Sequence, residues 1–376
     1  MQILIERSER LRELPDPGNL GFGRNFSDHM FIMDYSREGG WHSPRIVPYR
    51  PFNVDPAMLA LHYGQSIFEG LKAYRWQDNS VNVFRLEDHV NRFAKSAERL
   101  VMPEFDRQLV FNSILSLLDV DRRWVPNKRG TALYLRPTLV ATESVLGVKP
   151  ADEYRMFVIQ SPVGAYYARG MEPTRIWVEE HYSRVPQGGT GEAKTAGNYA
   201  ASLKAANEAR ARGFDQVLWL DANEHRYIEE VGTMNVFFVI NDTLITPPLD
   251  GTILDGVTRR SVIALAREWG VNVEERMITI DEVIEAHQAG HLQEAFGSGT
   301  AAVIAPIGTL HWHDTDYEIE ERPDSLRMKL YNTITGIQYG EIPDTHEWIT
   351  TVPHLHNGAI NGNGKEKHMD EAAGLA

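Results

Sequence analysis

A chain of 376 residues without a single cysteine must hold its fold by packed apolar cores alone. The missing thiol excludes disulfide frameworks, thiolate zinc sites, iron–sulfur clusters and cysteine nucleophiles together. At roughly 150 residues per domain the length predicts two to three domains, and 42% hydrophobic residues are ample to fill their cores. Acidic residues outnumber basic ones, 52 to 38, for a formal net charge of −14. That balance argues against a nucleic-acid or polyphosphate surface, which needs a basic footprint, although a local pocket can still hold one small anion. The longest uninterrupted apolar stretch, Ala301 to Ile307, is far short of the ~20 residues of a membrane span. Glu6, Glu9 and Glu13 spoil a transit peptide, so the expectation is a cytoplasmic protein with no membrane partner.

Apolar periodicity divides the chain into two halves of mixed α and β character. Val90, Phe93, Ala94, Ala97, Leu100 and Val101 recur with a 3.6-residue period and predict a helix over 87–101; another is expected over 107–118. Arg92 lies off that apolar stripe, free to reach water or to face a neighbouring cleft. Strands are expected at 81–84, 133–139 and 154–160. From Tyr166 to Pro173 the periodicity is lost and Gly and Pro intervene. The expected organisation is therefore a small N-terminal α/β domain over 1–165, a linker over 166–176 and a larger domain over 177–350. The second half alternates strands (216–220, 235–240) with helices (199–212, 257–269, 324–339). Gly213 and Gly270 follow two of these helices, where a left-handed residue is favoured. The polar stretch 351–376 is expected to be a disordered tail.

The segment from Gly188 to Lys194 looks like a phosphate-binding loop, but Ala193 stands where that motif requires glycine before the lysine. A lysine among such small residues is either a solvated loop residue or an amine that a planar carbonyl cofactor can approach. Glu229 and Glu230 lie at the end of an apolar run, and a buried carboxylate needs a cationic partner. That partner is an Arg or Lys elsewhere in the fold, or a protonated ring nitrogen. Leu249 to Arg260 and Phe296 to Ala302 read as glycine turns opening helices, whose free N–H groups can hold a phosphate. Tyr134 and Arg136 share a strand face, so a phenol and a guanidinium side by side can grip a carboxylate. His311 and His313 also share a face, but they lack a third ligand and no metal is expected.

Several of these segments, taken in chain order, resemble one family: Phe68-Glu69-Gly70-Leu71-Lys72-Ala73, Tyr134-Leu135-Arg136-Pro137, Leu146-Gly147-Val148, Lys194 with Asn198-Tyr199, Glu230 to Asn235, and Phe296 to Thr300. The chain is similar over nearly its whole length to the class IV, fold-type IV pyridoxal-phosphate aminotransferases, most of all to the branched-chain group. The resemblance implies the two-domain mixed α and β fold of the D-amino acid aminotransferase-like enzymes, with pyridoxal 5′-phosphate in the cleft between domains. It makes Lys194 the residue that carries the cofactor as a Schiff base and shuttles the proton. Glu230 would hold the pyridine nitrogen, Tyr199 the ring hydroxyl, and Arg92, Val257, Thr258 and Thr300 the phosphate. Phe26, Tyr63, Phe68, Tyr134, Tyr166 and Thr233 would surround the substrate side chain, with the Ala301 turn at its α-carboxylate. Arg136, helped by Tyr63, would receive the γ-carboxylate of glutamate, while Leu146 and Val148 would close the neighbouring subunit's site in a homodimer. The implied reaction is ping-pong transamination of L-leucine, L-isoleucine and L-valine with 2-oxoglutarate; D-amino acid transamination and the lyase reaction on aminodeoxychorismate are the alternatives on this fold. Ala302 and Ala305 stand where some animal members have a Cys-x-x-Cys pair, which implies no thiol switch.

Overall fold

The computed structural model describes residues 1–164, 172–322 and 324–355. The first of two sheets runs in the order Leu4–Ile5, Gly40–Pro48, His29–Ser36, Glu153–Val163, Ala132–Ala141, Leu71–Arg75, Val81–Phe84 and Ile349–Thr351, with Ser66–Phe68 also against Ala132–Ala141. Two helices, Leu86–Arg99 and Arg107–Val120, cover one face. Val90, Phe93 and Ala97 of the first helix pack with Leu109, Val110 and Ile114 of the second and with Leu71, Ala73 and Leu133 from the strands. The first helix ends where Val101 turns left-handed, φ 55°, and the second begins where the Asp106 carboxylate caps the N–H groups of Gln108 and Leu109.

The second sheet closes on itself. Its strands follow the order Ile228–Val231, Gln216–Leu220, Thr174–Glu179, Val303–Trp312, Leu292–Gly299 and Met234–Ile240, and the last pairs back onto the first to make a six-stranded barrel. Thr243–Thr246 and Asn272–Glu275 extend it beyond Met234–Ile240, and Thr315–Glu318 adds to Val303–Trp312. Every residue of Met234–Ile240 is buried, because alternate side chains serve two cores. Met234, Val236, Phe238 and Ile240 join Ile176, Leu218 and Ala295 in the barrel's own core. Phe237 and Val239 lie in a different core with residues of the helices Val257–Glu268 and Leu326–Gln338. That core also takes Tyr74, Phe84, Tyr134 and Trp348, so one apolar layer joins the two halves and the cleft lies along it.

The expected strands and helices occur, mostly shifted by one to three residues at their ends, and Gly213 and Gly270 have the left-handed φ of +86° and +74°. Phe296 to Ala302 does not start a helix. It is the end of Leu292–Gly299 and the tight turn into Val303–Trp312. The apolar run after the turn suits either period, and pairing with the neighbouring strand decides it. Residues 174–176, placed in the linker, begin the barrel strand Thr174–Glu179, while 166–171 lie outside the described residues. The expected tail boundary also differs from the structure: Ile349–Thr351 rejoins the first sheet beside Val81–Phe84, and Val352 is buried in the first core. Three strand residues are too few to leave a periodic signal; 356–376 lie outside the described residues.

The loop before Lys194 passes so close to the turn at Thr252 that a Cβ on Gly191 would overlap the Thr252 backbone. Neither side is a flexible side chain end, so Gly191→Ala should destabilise the protein by roughly 1–3 kcal/mol. A lowered melting temperature together with weakened cofactor retention is the expected outcome; unchanged values of both would mean that the two backbones do not meet.

Candidate active site

Lys194 sits on the loop between Thr174–Glu179 and the helix Ala196–Ala211. Its backbone is bound to the opposite half on both sides: its N–H donates to Ser96 Oγ at 3.0 Å, and its carbonyl accepts from Phe68 N–H at 3.0 Å. The Thr195 hydroxyl donates to Ser66 O, and Asn198 Nδ2 donates to the carbonyls of Thr190 and Ala193, closing the loop onto its own helix. The side chain thus leaves a fixed backbone, with Nζ 2.7 Å from the Tyr199 hydroxyl and 5.0 Å from the Phe68 ring centroid. A cavity of about 220 Å³ opens around it, lined among others by Arg92, Tyr134, Arg136, Glu230, Thr258 and Thr300.

Glu230 is buried on Ile228–Val231, opposite Asn235 across the Gly232-Thr233 turn. Both residues hold the loop before the next helix: Leu254 N–H donates to Glu230 Oε1 at 2.9 Å, and Asn235 Nδ2 donates to Leu254 O at 2.9 Å. Glu230 has a protein cation as partner too, because Arg184 Nε lies 3.3 Å from its Oε2. Burial raises the Glu230 pKa, and the Arg184 guanidinium opposes that rise. Arg184 is anchored by donating to Thr252 O. The carboxylate therefore has an arginine partner and still lines the cavity.

Arg92 does not reach water. It is buried, with Nε and Nη2 donating to the two carboxylate oxygens of Glu69 at 2.7 and 2.9 Å, and Nη1 donating to Asp255 O at 3.0 Å. His89 Nδ1 lies 2.8 Å from the same carboxylate, and burial keeps this imidazole's pKa low, so a neutral ring donates. Burial alone would push Glu69 up, but Arg92 and His89 outweigh it and hold its carboxyl well below the usual range. Asp255 and Gly256 lead into Val257–Glu268, whose N-terminus brings Val257 and Thr258 to the cavity. A helix N-terminus beside a buried guanidinium is suited to a dianion.

At the other end, Arg136 Nη2 donates to the Tyr134 hydroxyl at 3.0 Å, and the guanidinium lies 4.6 Å from the Phe68 ring centroid. Among the described residues no carboxylate pairs with it. Phe68, Tyr134, Arg136, Thr233, Val257, Thr258, Thr300 and Ala301 all line the cavity with Lys194, Tyr199, Glu230 and Arg92. Phe26 is elsewhere, stacked on Tyr49 at 5.1 Å, and Phe22 takes its place at the cavity, edge-on to Tyr134. Tyr63 is also outside, its hydroxyl donating to Leu146 O at 2.5 Å, and Leu146 and Val148 are exposed beside it. Tyr166 lies outside the described residues.

Residues 66–310 match the model of the amino-transferase class IV family. The chain belongs to that family. It is 51% identical over 354 residues to branched-chain-amino-acid aminotransferase 2 of Bacillus subtilis, covering 94% of this chain and 98% of that one. The fold is similar to that of the branched-chain aminotransferase of Escherichia coli, with a TM-score of 0.73, 27% identity, and 87% and 99% of the two chains covered. It is similar also to the pyridoxal-phosphate holo-form of the enzyme from Thermobaculum terrenum, with a TM-score of 0.69 and 26% identity over 87% and 98% of the chains. This member is thus a pyridoxal-phosphate-dependent branched-chain aminotransferase, and the cavity suits that cofactor: an amine beside a phenol, a buried carboxylate, and a guanidinium at a helix N-terminus.

Sequence reasoning missed Glu69, His89, Arg184 and Phe22, since only the tertiary fold brings them to Arg92, Glu230 and Tyr134. The Glu69 pairing has a sign that can be measured. A depressed carboxyl pKa adds stability above the unfolded value near 4.5, and that stability is lost as pH falls below it. Glu69→Gln should cost roughly 3–5 kcal/mol at pH 7 by leaving Arg92 without its counter-charge. In denaturant unfolding the difference from wild type should narrow below pH 4.5; a pH-independent difference would place the loss in packing instead.

Proposed function

We propose that the enzyme moves the amino group of L-leucine, L-isoleucine or L-valine to 2-oxoglutarate in two half-reactions, with its cofactor covalently attached at Lys194. The observation that carries this reading is the convergence of Lys194, Tyr199 and Glu230 in one cavity whose far end holds Phe68 and the Tyr134–Arg136 pair. Bound pyridoxal phosphate supplies a sink for the electrons of the substrate's Cα–H bond.

Each side chain then has a task. Arg92, the N–H groups of Val257 and Thr258, and the Thr300 hydroxyl hold the phosphate. Glu230 keeps the ring nitrogen protonated, and the positive charge of that nitrogen would join Arg184 in favouring the ionised carboxylate against the burial that raises its pKa. Tyr199 donates to the ring oxygen and keeps the Lys194 amine at hand. Once the substrate's amino group displaces it from the cofactor, Lys194 Nζ is a free amine that would take the proton from the substrate's Cα and hold it for return in the same half-reaction.

Phe22, Phe68 and Tyr134 give the side-chain pocket apolar walls, while Arg136 supplies a charge for glutamate's second carboxylate. A methylene more or less is worth only about 1–3 kcal/mol in such a pocket, so all three branched substrates are accepted. Leu146, Val148 and Leu61 are at least 62% exposed around the Tyr63–Leu146 bond, an apolar patch that a second copy of the chain would cover. We assign it to a homodimer in which the patch closes the neighbour's site, as a cytoplasmic enzyme of small-molecule metabolism.

Two measurements test this reading. Purified enzyme should transaminate L-leucine with 2-oxoglutarate and absorb visible light through its covalently held cofactor; Lys194→Ala should abolish the covalent absorption and lower turnover by roughly 10²–10⁴-fold or more. Activity confined to D-alanine or aminodeoxychorismate would contradict the substrate assignment. Leu146→Asp with Val148→Asp should sediment as a monomer and lose most activity, whereas a fully active monomer would remove the shared site.

A further inference from the structure

The strand Leu71–Arg75 alternates between two environments: Leu71 and Ala73 enter the first core, and Tyr74 enters the layer shared by both halves. Lys72, on the same face as Tyr74, is only 8% exposed. Its Nζ donates to the carbonyl of Ala301 at 2.7 Å, and no carboxylate among the described residues pairs with it. Burial lowers its pKa to about 8, leaving the amine mostly charged at neutral pH. A buried cation without a counter-charge is expensive, and a methionine would fill the same space without that cost.

Ala301 belongs to the Thr300–Ala302 turn, which joins Gly299 to its partner Val303. Val303 holds φ at +66°, which a β-branched residue adopts only when its surroundings impose it. Thr300, Ala301 and Ala302 line the main cavity, whereas Lys72 lines a smaller one with Thr258, Thr300 and His89, so the turn is a partition between them. In a planar trans peptide the C=O and N–H point in opposite directions. With Ala301 C=O held toward Lys72, the N–H of Ala302 is directed away from it, to the cavity side. Among the described residues the N–H groups of Ala301 and Ala302 donate to no acceptor, and the buried Ser298 Oγ, which belongs to a residue that also lines the cavity, has no partner there either.

We propose that Lys72 is a positioning residue for the carboxylate common to both substrates: by clamping the Ala301 carbonyl it aims the N–H of Ala302 into the cleft and sets a positive charge behind it. The ammonium polarises the peptide it grips and strengthens its N–H as a donor. In a cavity of low dielectric the same charge favours an anion on the far side of the turn. This assignment rests on the amino-acid substrate reading above.

The test compares holoenzyme of wild type, Lys72→Met, Lys72→Gln and Lys72→Arg. For Lys72→Met, KM for L-leucine and for 2-oxoglutarate should both rise roughly tenfold or more, as for loss of a charge-assisted contact, with kcat changed much less. Affinity for 4-methylpentanoate, an unreactive carboxylate, should fall by the same factor in calorimetry, while cofactor affinity is retained. Lys72→Gln, which keeps a donor without the charge, should lie between Met and wild type, and Lys72→Arg should recover most of the affinity. Unchanged KM and unchanged carboxylate affinity in Lys72→Met overturn the proposal. A loss confined to cofactor affinity overturns it too, by assigning Lys72 to the phosphate. The carboxylate-binding arm needs no turnover, so a wild type that binds 4-methylpentanoate through Lys72 yet does not transaminate overturns the substrate reading alone.

Discussion

The peptide of Lys194 is the joint on which this structure depends. Its N–H and its carbonyl are both spent on the opposite half, on Ser96 Oγ and Phe68 N–H, so the residue that carries the reactive amine also fastens the barrel to the first sheet. Two separately packed sheets meeting at a cleft could shift against each other; hydrogen bonds made through backbone at the working residue fix the amine relative to both walls. The apolar layer that mixes Phe237 and Phe296 with Tyr74 and Trp348 supplies the burial that holds the halves together, and the Lys194 peptide fixes their register.

Net charge says little about such a cleft. The chain carries −14 overall, yet its cavity gathers Arg92, Arg136 and Lys194, with Arg184 and Lys72 behind its walls. Their partners differ in a way that assigns their work. Arg92 and Arg184 lie against the buried carboxylates Glu69 and Glu230, which hold them rigid as parts of the frame. Arg136 has a tyrosine hydroxyl and aromatic faces, and Lys72 has a carbonyl, so among the described residues no carboxylate compensates the positive charge of either. In a medium of low dielectric those are the charges that an incoming carboxylate meets.

Much of this site can be read from the chain, for local reasons. The small residues around Lys194, the carboxylate of Glu230 at the end of an apolar run and the position of Arg92 off its helix's apolar stripe are each visible within a dozen residues. The strand Gln216–Leu220 lies where its short apolar run predicts, because such a run is a local property. Closure of the barrel is not local: it depends on Ile228–Val231 pairing both with Gln216–Leu220 and with Met234–Ile240, and no periodicity records a second partner. The same limit hid Arg184 beside Glu230 and Glu69 around Arg92. Lys72 stood in view within a family-like segment, but its burial exists only once the Ala301 turn lies over it. That turn itself was misread as a helix start, since the apolar residues following it suit two periods until a neighbouring strand selects one.

The central claim is that one cavity, through Lys194, takes an amino group from one substrate and keeps it until another arrives. Single-turnover product release measures this most directly: holoenzyme is mixed with excess L-leucine and no oxo-acid acceptor. The account predicts that about one equivalent of the branched 2-oxo acid per chain is released and that release then stops until 2-oxoglutarate is added. Continuous release without an acceptor, or none at all before both substrates are present, would contradict it.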